Sequence, residues 1–381
     1  MEPEGALSRR TASEVRGIVD AALSDLEALV AISSPSGDRD GAERAIALCA
    51  ARMPPDAVIE RVPCSSPNHA PDLLARLQGS GDKRLLLLGH LDTVISHATH
   101  LPLQRDGDRW LGSGTVDMKG GVAIALGLAR WLAAQRELFG ELAVLLVVDE
   151  EWRLAPFIHA RRFAHFDACL CFEAGERSAD GAEGVVVERK AAGTLQITAH
   201  GRAAHAGSNP DDGSNALLAL ARAATTAAAL HAPHEPEALS VVPSRLAAGG
   251  AINVVPAEGV LMIDVRAREA SSFGRVIESI ARSADGARVE IELIRRWPGM
   301  NSRTAAGDLL ASASALLGRP IVGAARGGAS DASHLARVIP LTIDGLGPRG
   351  GHAHSPEEFV HGPSLHERTE VAMAICEALL V

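Results

Sequence analysis

The chain of 381 residues has no tyrosine, and aromatic residues make up only 3% of it. The missing tyrosine is a compositional bias without functional content. No dense run of lysine and arginine occurs, and the formal net charge is −10. Together these features argue against a nucleic-acid or anionic-membrane partner. There are five cysteines, Cys49, Cys64, Cys169, Cys171 and Cys376, and no C-x-x-C pair among them. An odd number without redox spacing reads as small buried hydrophobes in a reducing compartment. No apolar run approaches the roughly 18 residues of a membrane span, and Met1–Arg10 lacks the apolar stretch of a secretory signal. A soluble, cytoplasmic protein is expected. The motifs H-E-x-x-H, G-x-S-x-G and G-x-x-x-x-G-K-[ST] are all missing.

What is present is apolar bulk arranged in alternating helices and strands. Hydrophobic residues make up 47%, enough for a large core, and the length suits two domains. Amphipathic spacing predicts helices over 12–32 and 40–52. Strands are then expected at 57–62, 72–78 and 84–89, a helix at 119–135, a strand at 141–148, a helix at 154–163 and a strand at 168–173. This alternation indicates an α/β domain with a mostly parallel sheet.

Near Gly184 the character changes. A strand begins at Val185, and Gly193–Gly201 alternates with period two, as a half-exposed antiparallel strand does. A helix is expected over Ser214–Leu230, with Asp211, Asp212 and Ser214 as candidate N-caps. Strands at Ser240–Leu246 and Val260–Arg266, a helix at 270–284 and a strand at 288–294 complete a βαββαβ-like order. That is a ferredoxin-like unit, a four-stranded sheet with two helices. Helix–strand alternation then returns, with helices at 305–317, 331–337 and 363–380 and strands at 320–322 and 339–342. The expected organisation is an α/β catalytic domain, 1–189 and 298–381, interrupted by an inserted α+β domain, 190–297.

Several acids and histidines sit directly after apolar runs. Leu85–Leu88 leads into Gly89-His90-Leu91-Asp92, Ala143–Val148 into Asp149-Glu150-Glu151, and Ala168–Phe172 into Glu173. Such runs read as buried parallel strands, and in open α/β sheets ligands bind at the strands' carboxyl ends. One histidine and several carboxylates therefore converge on one sheet edge. Three adjacent acids repel unless a cation compensates them. Asp117 lies in the glycine-rich Gly112–Gly121 segment, and Gly350–Glu358 offers His352 and His354. Taken alone, each of these also fits a solvated loop, a helix cap or a structural ion pair. As a set of oxygen and nitrogen donors without cysteine they suit Zn²⁺, Mn²⁺ or Co²⁺. His90 as ligand with Asp92 as its orienting carboxylate fits the usual need of a metal-bound imidazole.

With Gly89-His-Leu-Asp-Thr-Val, Gly114-Thr-Val-Asp-Met-Lys-Gly-Gly, Asp149-Glu-Glu and His354-Ser-Pro in this order, the chain resembles a known family. It is that of the co-catalytic zinc amidohydrolases and exopeptidases: glutamate carboxypeptidase (carboxypeptidase G), acetylornithine deacetylase, succinyl-diaminopimelate desuccinylase and aminoacylase. The resemblance covers about residues 15–381, and its pattern is nearest to glutamate carboxypeptidase. It implies two metal ions, zinc with cobalt or manganese as alternatives, bridged by Asp117. One would also take His90 and Glu173, the other Glu151 and His354. His354 is preferred to His352 because it directly precedes Ser-Pro. Glu150 would act as general base and Asp92 would hold His90.

The resemblance also reaches the inserted domain, which falls where the family has its lid and dimerisation domain. His205 is similar to an oxyanion-stabilising histidine that enters the partner's site in dimeric members. Asn253 is similar to a lid residue near the substrate, and Arg266 to a substrate-carboxylate clamp. Gly327-Gly-Ala-Ser-Asp331, with Gly328, resembles a substrate loop, and Arg326 lies beside it. After Asp149-Glu-Glu the family often has Gly-Ser; this chain has Trp152-Arg153, which changes the wall beside the ligands. The implied function is hydrolysis of a peptide or N-acyl amide to release a free amino acid, carboxypeptidase or dipeptidase in type. The resemblance implies a small-molecule substrate bearing a carboxylate and a homodimer through the lid. The alternatives are an N-acyl-amino-acid deacylase, an aminopeptidase requiring a free amine, and a catalytically silent binding relative.

Overall fold

The computed structural model describes residues 12–380; the reading of Met1–Arg10 concerns residues outside that range. The chain divides into two compact units. Of the described residues, the first comprises 12–188, 301–325 and 330–380, and the second 189–300 with 326–329. The segment Arg326–Ala329, expected with the outer domain, groups with the second unit.

The first unit is built on a six-stranded sheet in the order Val58–Val62, Asp72–Gln78, Glu141–Val147, Arg84–His90, Ala168–Cys171, Thr342–Ile343. The Asp72–Gln78 strand pairs antiparallel with both of its neighbours, and the other three neighbouring pairs run parallel. Glu141–Val147 and Ala168–Cys171 are buried along almost their whole length, as strands covered on both faces must be. Helix Ala12–Val30 packs against helices Gly120–Ala133 and Gly362–Leu380. The start of helix Gly120–Ala133 lies against Phe172. A Cβ on Gly121 would sit 1.7 Å from the Phe172 carbonyl oxygen, so only glycine allows this approach.

The second unit has its own antiparallel sheet: Ser240–Ala248, Glu258–Ala267, Ala191–His200 and Ala287–Trp297, with the short Ser283–Ala284 at the far edge. Helices Ala216–Ala228 and Phe273–Ser279 cover one face, and Leu195, Ile197, Ile263, Val265, Leu220 and Phe273 fill the core between. Ala192 stands opposite Trp297, so the two ends of this inserted stretch are neighbours. In the first unit, Ser302 N donates to Val187 O at 2.8 Å, so the flanking ends also meet.

Three local expectations fail. The helix expected at 154–163 is an irregular segment with only a short turn at Ala160–Phe163, because Arg153 is drawn inward and Pro156 interrupts the spacing. The helix expected over 270–284 is regular only at Phe273–Ser279; the chain then turns at Asp285 and Gly286, both at positive φ. Helix Ala216–Ala228 is capped by Asn215, whose side chain accepts from Leu217 N and Leu218 N, not by Asp211, Asp212 or Ser214.

Candidate metal centre

Three adjacent parallel strands place the acids and the histidine. His90 ends the middle strand, Asp149-Glu150-Glu151 follows the strand on one side, and Glu173 follows the strand on the other. Register aligns His90 with Val147 and Leu88 with Cys171, so all three strands end at one level. Asp117 comes from the irregular Thr115–Lys119 turn that opens helix Gly120–Ala133. His354 comes from the loop before Phe359–His361, at a φ of 66°.

These residues meet. His90 Nε2 is 3.1 Å from Asp117 Oδ1 and 3.7 Å from Glu173 Oε1. His354 Nε2 is 3.1 Å from Asp117 Oδ2 and 3.1 Å from Glu151 Oε2. The result is two groups, His90–Asp117–Glu173 and Asp117–Glu151–His354, sharing one carboxylate; within each, one donor atom per residue lies within 4.8 Å of the others. His352 is not in either group and packs its ring against Phe359.

Asp92 has a wider role than orienting a ring. His90 Nδ1 lies 3.0 Å from the Asp92 backbone oxygen and 3.4 Å from its carboxylate. That carboxylate also accepts from Glu150 N and Glu151 N, each at 3.1 Å. It thus ties the histidine strand to the acidic turn.

The electrostatics are those of crowded acids out of water. Burial pushes Glu150 up to about 7, helped by Glu151 and opposed by His90 and Arg153. Burial, with Asp117, holds Glu173 well above the ordinary glutamate value, and burial also raises Glu151. Burial opposes charging His90, but hydrogen bonds to Asp117 and Asp92 hold its pKa well above normal. Hydrogen bonds to Asp117 and Glu151 carry His354 up to about 10. Burial works against the Asp117 charge, yet the two imidazoles keep its pKa below the carboxylate range. The donors are oxygen and nitrogen only, and the buried Glu151 Oε1 has no hydrogen-bond partner. A carboxylate oxygen left bare in this setting fits coordination to a cation.

A third close group, Cys64, Asp72 and Asp149, is internally satisfied. Asp149 accepts from Arg153 and Ser66 N, and Asp72 from Val148 N while facing His159. All five cysteines are free; Cys64 is half-buried and the other four are buried.

Sequence reasoning assigned no part to Glu358. It is buried, and its two oxygens accept from Gly114 N, Val116 N and Asp117 N at 2.8–3.0 Å, fixing the turn that carries Asp117. Its only signal was proximity to His354-Ser-Pro. Arg153 was expected in the wall beside the ligands. It is instead fully buried, bonded to Asp149 and Asp331, whereas Trp152 is exposed.

In the second unit, His205 Nδ1 accepts from Gly207 N and Ser208 N, which leaves the proton of a neutral ring on Nε2. The Asn253 backbone oxygen accepts from Ala206 N, so the His205 and Asn253 loops lie together. Arg266 directs its fork at Asp264, at 2.8 and 2.9 Å. Arg326 and Gly328 accept through their carbonyls from Lys190 N and the Arg189 side chain.

Comparison with known proteins places this geometry. Residues 86–378 match the model of peptidase family M20/M25/M40. Carboxypeptidase G2 from Pseudomonas sp. (strain RS-16) is 26% identical over 369 residues, 92% of this chain and 88% of the relative. Succinyl-diaminopimelate desuccinylase from Gluconobacter oxydans is 28% identical over 330 residues, 81% of this chain and 84% of the relative. A dinuclear metal binding M20 peptidase of Bacillus subtilis shares the fold, with a TM-score of 0.70, 16% identity and coverage of 96% of this chain and 99% of that one. The chain belongs to peptidase family M20/M25/M40 and is a hydrolase of the peptidase and amidohydrolase type.

Proposed function

We propose that the protein is a two-metal exopeptidase that cleaves an amide bond and releases a free amino acid, carboxypeptidase or dipeptidase in type. The observation that carries this is the pair of ligand groups sharing Asp117, with Glu150 buried beside them. His90, Asp117 and Glu173 would hold one ion and Asp117, Glu151 and His354 the other, zinc by preference over cobalt or manganese. When bound, such a pair polarises the amide carbonyl and lowers the pKa of water. Glu150 takes the proton from the attacking water and returns it to the leaving amine. Its raised pKa suits that shuttle, since a base near the working pH both accepts and donates. Asp92 keeps His90 oriented. His205, its proton on Nε2, would donate to the oxyanion in the site of the partner subunit. By the family resemblance, Asn253, Gly328, Arg326 and Arg266, once its fork turns from Asp264, would receive the substrate's polar and carboxylate groups.

The alternative is an N-acyl-amino-acid deacylase. One relative is named a carboxypeptidase and others desuccinylases, which supports keeping both. We also propose a homodimer through the second unit and a cytoplasmic location. Edge strand Ser240–Ala248, with Val242 and Leu246 exposed, suits antiparallel pairing with a second copy. Among the described residues no helix is long and apolar enough to cross a membrane.

A substrate panel tests the reading. Zinc- or cobalt-loaded protein should hydrolyse dipeptides, glutamate conjugates or N-acyl amino acids. Glu150→Gln should lower kcat by about 10³-fold or more while metal content stays at wild-type level. Full activity in that variant would remove Glu150 from the mechanism, and release of the amino-terminal residue from tripeptides or longer peptides, with no turnover of N-acyl substrates, would point to an aminopeptidase.

A further inference from the structure

Residues 152–159 largely alternate in burial, and most of the large apolar side chains are on the outer side. The inward side chains are Arg153, fully buried, Phe157 and His159. Trp152, Leu154 and Ile158 face outward, with exposures of 59%, 58% and 51%. A surface segment ordinarily buries its large apolar side chains and exposes its charge. Here the arginine goes in and the tryptophan stays out.

The inward set anchors the segment. Arg153 Nη1 donates to Asp149 Oδ1 at 2.8 Å, and the guanidinium also engages Asp331. It lies over the Phe157 ring, 4.9 Å from its centroid. Phe157 stacks in turn on His334, and His159 Nε2 faces Asp72 Oδ2 at 2.8 Å. The outward apolar face is therefore a fixed display. It begins one peptide bond from Glu151, whose Oε2 meets His354 and Asp117 in the candidate metal centre.

Trp152 directly follows the candidate ligand Glu151 in the chain, and an exposed apolar face beside a hydrolytic centre is suited to meeting the substrate. Both basic residues of the segment face inward, so it offers no cation to a carboxylate. It suits the other half of the scissile amide. We propose that Trp152, Leu154 and Ile158 form a specificity surface for an uncharged, apolar acyl or N-terminal group of the substrate. This rests on the reading of Glu151 as a metal ligand and of the released amino acid as the carboxylate-bearing half.

The test compares N-octanoyl and N-acetyl forms of one amino acid. Binding is measured by titration calorimetry on full-length, zinc-loaded protein carrying Glu150→Gln, so that neither ligand is consumed. Trp152→Ser and Leu154→Ser are added together, and Val58→Ser, an exposed apolar residue at the other sheet edge, serves as control. The octanoyl-over-acetyl affinity ratio should fall about tenfold or more in the double variant and stay unchanged in the control. An unchanged ratio overturns the proposal. So does an unchanged ratio accompanied by a smaller mass in light scattering, which would make this face a contact between copies. Should the unmodified enzyme hydrolyse no amide while the ratio still falls, the proposed function fails and the apolar subsite stands.

Discussion

Asp92 accepts from the peptide N–H groups of Glu150 and Glu151 and also sits against His90. Asparagine would keep one acceptor and turn an NH₂ group toward a donor. Asp92→Asn should therefore weaken zinc binding by about 10- to 100-fold with little change in the fold, as read by chelator competition and circular dichroism. Glu358 acts at one further remove, through three backbone N–H groups of the Asp117 turn. Its replacement by alanine leaves those donors buried and unpaired. The expected loss is about 2–4 kcal/mol in denaturant unfolding, with metal content lowered in parallel. The contrast between these residues shows what a sequence carries at this scale. His90, Glu150, Glu151 and Glu173 could be read because each directly follows an apolar strand. Glu358 could not, because its partners are peptide groups that every residue possesses. Arg153 was misplaced for a related reason: its charge is satisfied by Asp331, far along the chain, and nothing local announces that pairing.

At the level of elements, most strands of both sheets were legible to within two or three residues, since period-two alternation and unbroken apolar runs leave little choice of register; Ser283–Ala284, expected within a helix, was not. Helices failed where tertiary polar contacts overrode spacing. The 154–163 stretch reads as helical by its apolar positions but is held irregular by Phe157, His159 and the neighbouring Arg153. Edge strand Ser240–Ala248 carries an open ladder and exposed Val242 and Leu246. Placing lysine at both positions should convert a dimer into monomers by light scattering, with the melting temperature of dilute protein little changed. A wild-type monomer at the same concentration would dismiss the dimer proposal.

At the scale of the whole molecule, the metal centre should govern how stability depends on pH. Glu150 and Glu358 are raised from 4.5 to about 7, and Glu151 and Glu173 are also raised, all chiefly by burial. For a raised group the folded state holds protons that the unfolded chain has released. Its contribution is complete below the ordinary glutamate value and lost as pH rises through the folded value. His354, raised to about 10, loses its contribution later, as pH rises through that value. Chelator-treated protein should thus lose thermal stability between about pH 5.5 and about pH 8. Because ligands must shed protons to bind a cation, added zinc should raise the melting temperature more at the upper pH than at the lower. Equal zinc effects at both would mean that the raised groups are not the ligands.

The chain leaves the first unit beside Val187 and returns at Ser302, which hydrogen-bond to each other, while Ala192 and Trp297 face one another in the second unit. Exit and re-entry therefore share one doorway. The intervening stretch has the geometry of a cassette: a loop of two or three glycines could close the gap it leaves, and the excised piece carries its own sheet, helices and core. Replacing the stretch by another domain would need only two junctions, at neighbouring points of the first unit, and would leave His90, Asp117, Glu151, Glu173 and His354 untouched.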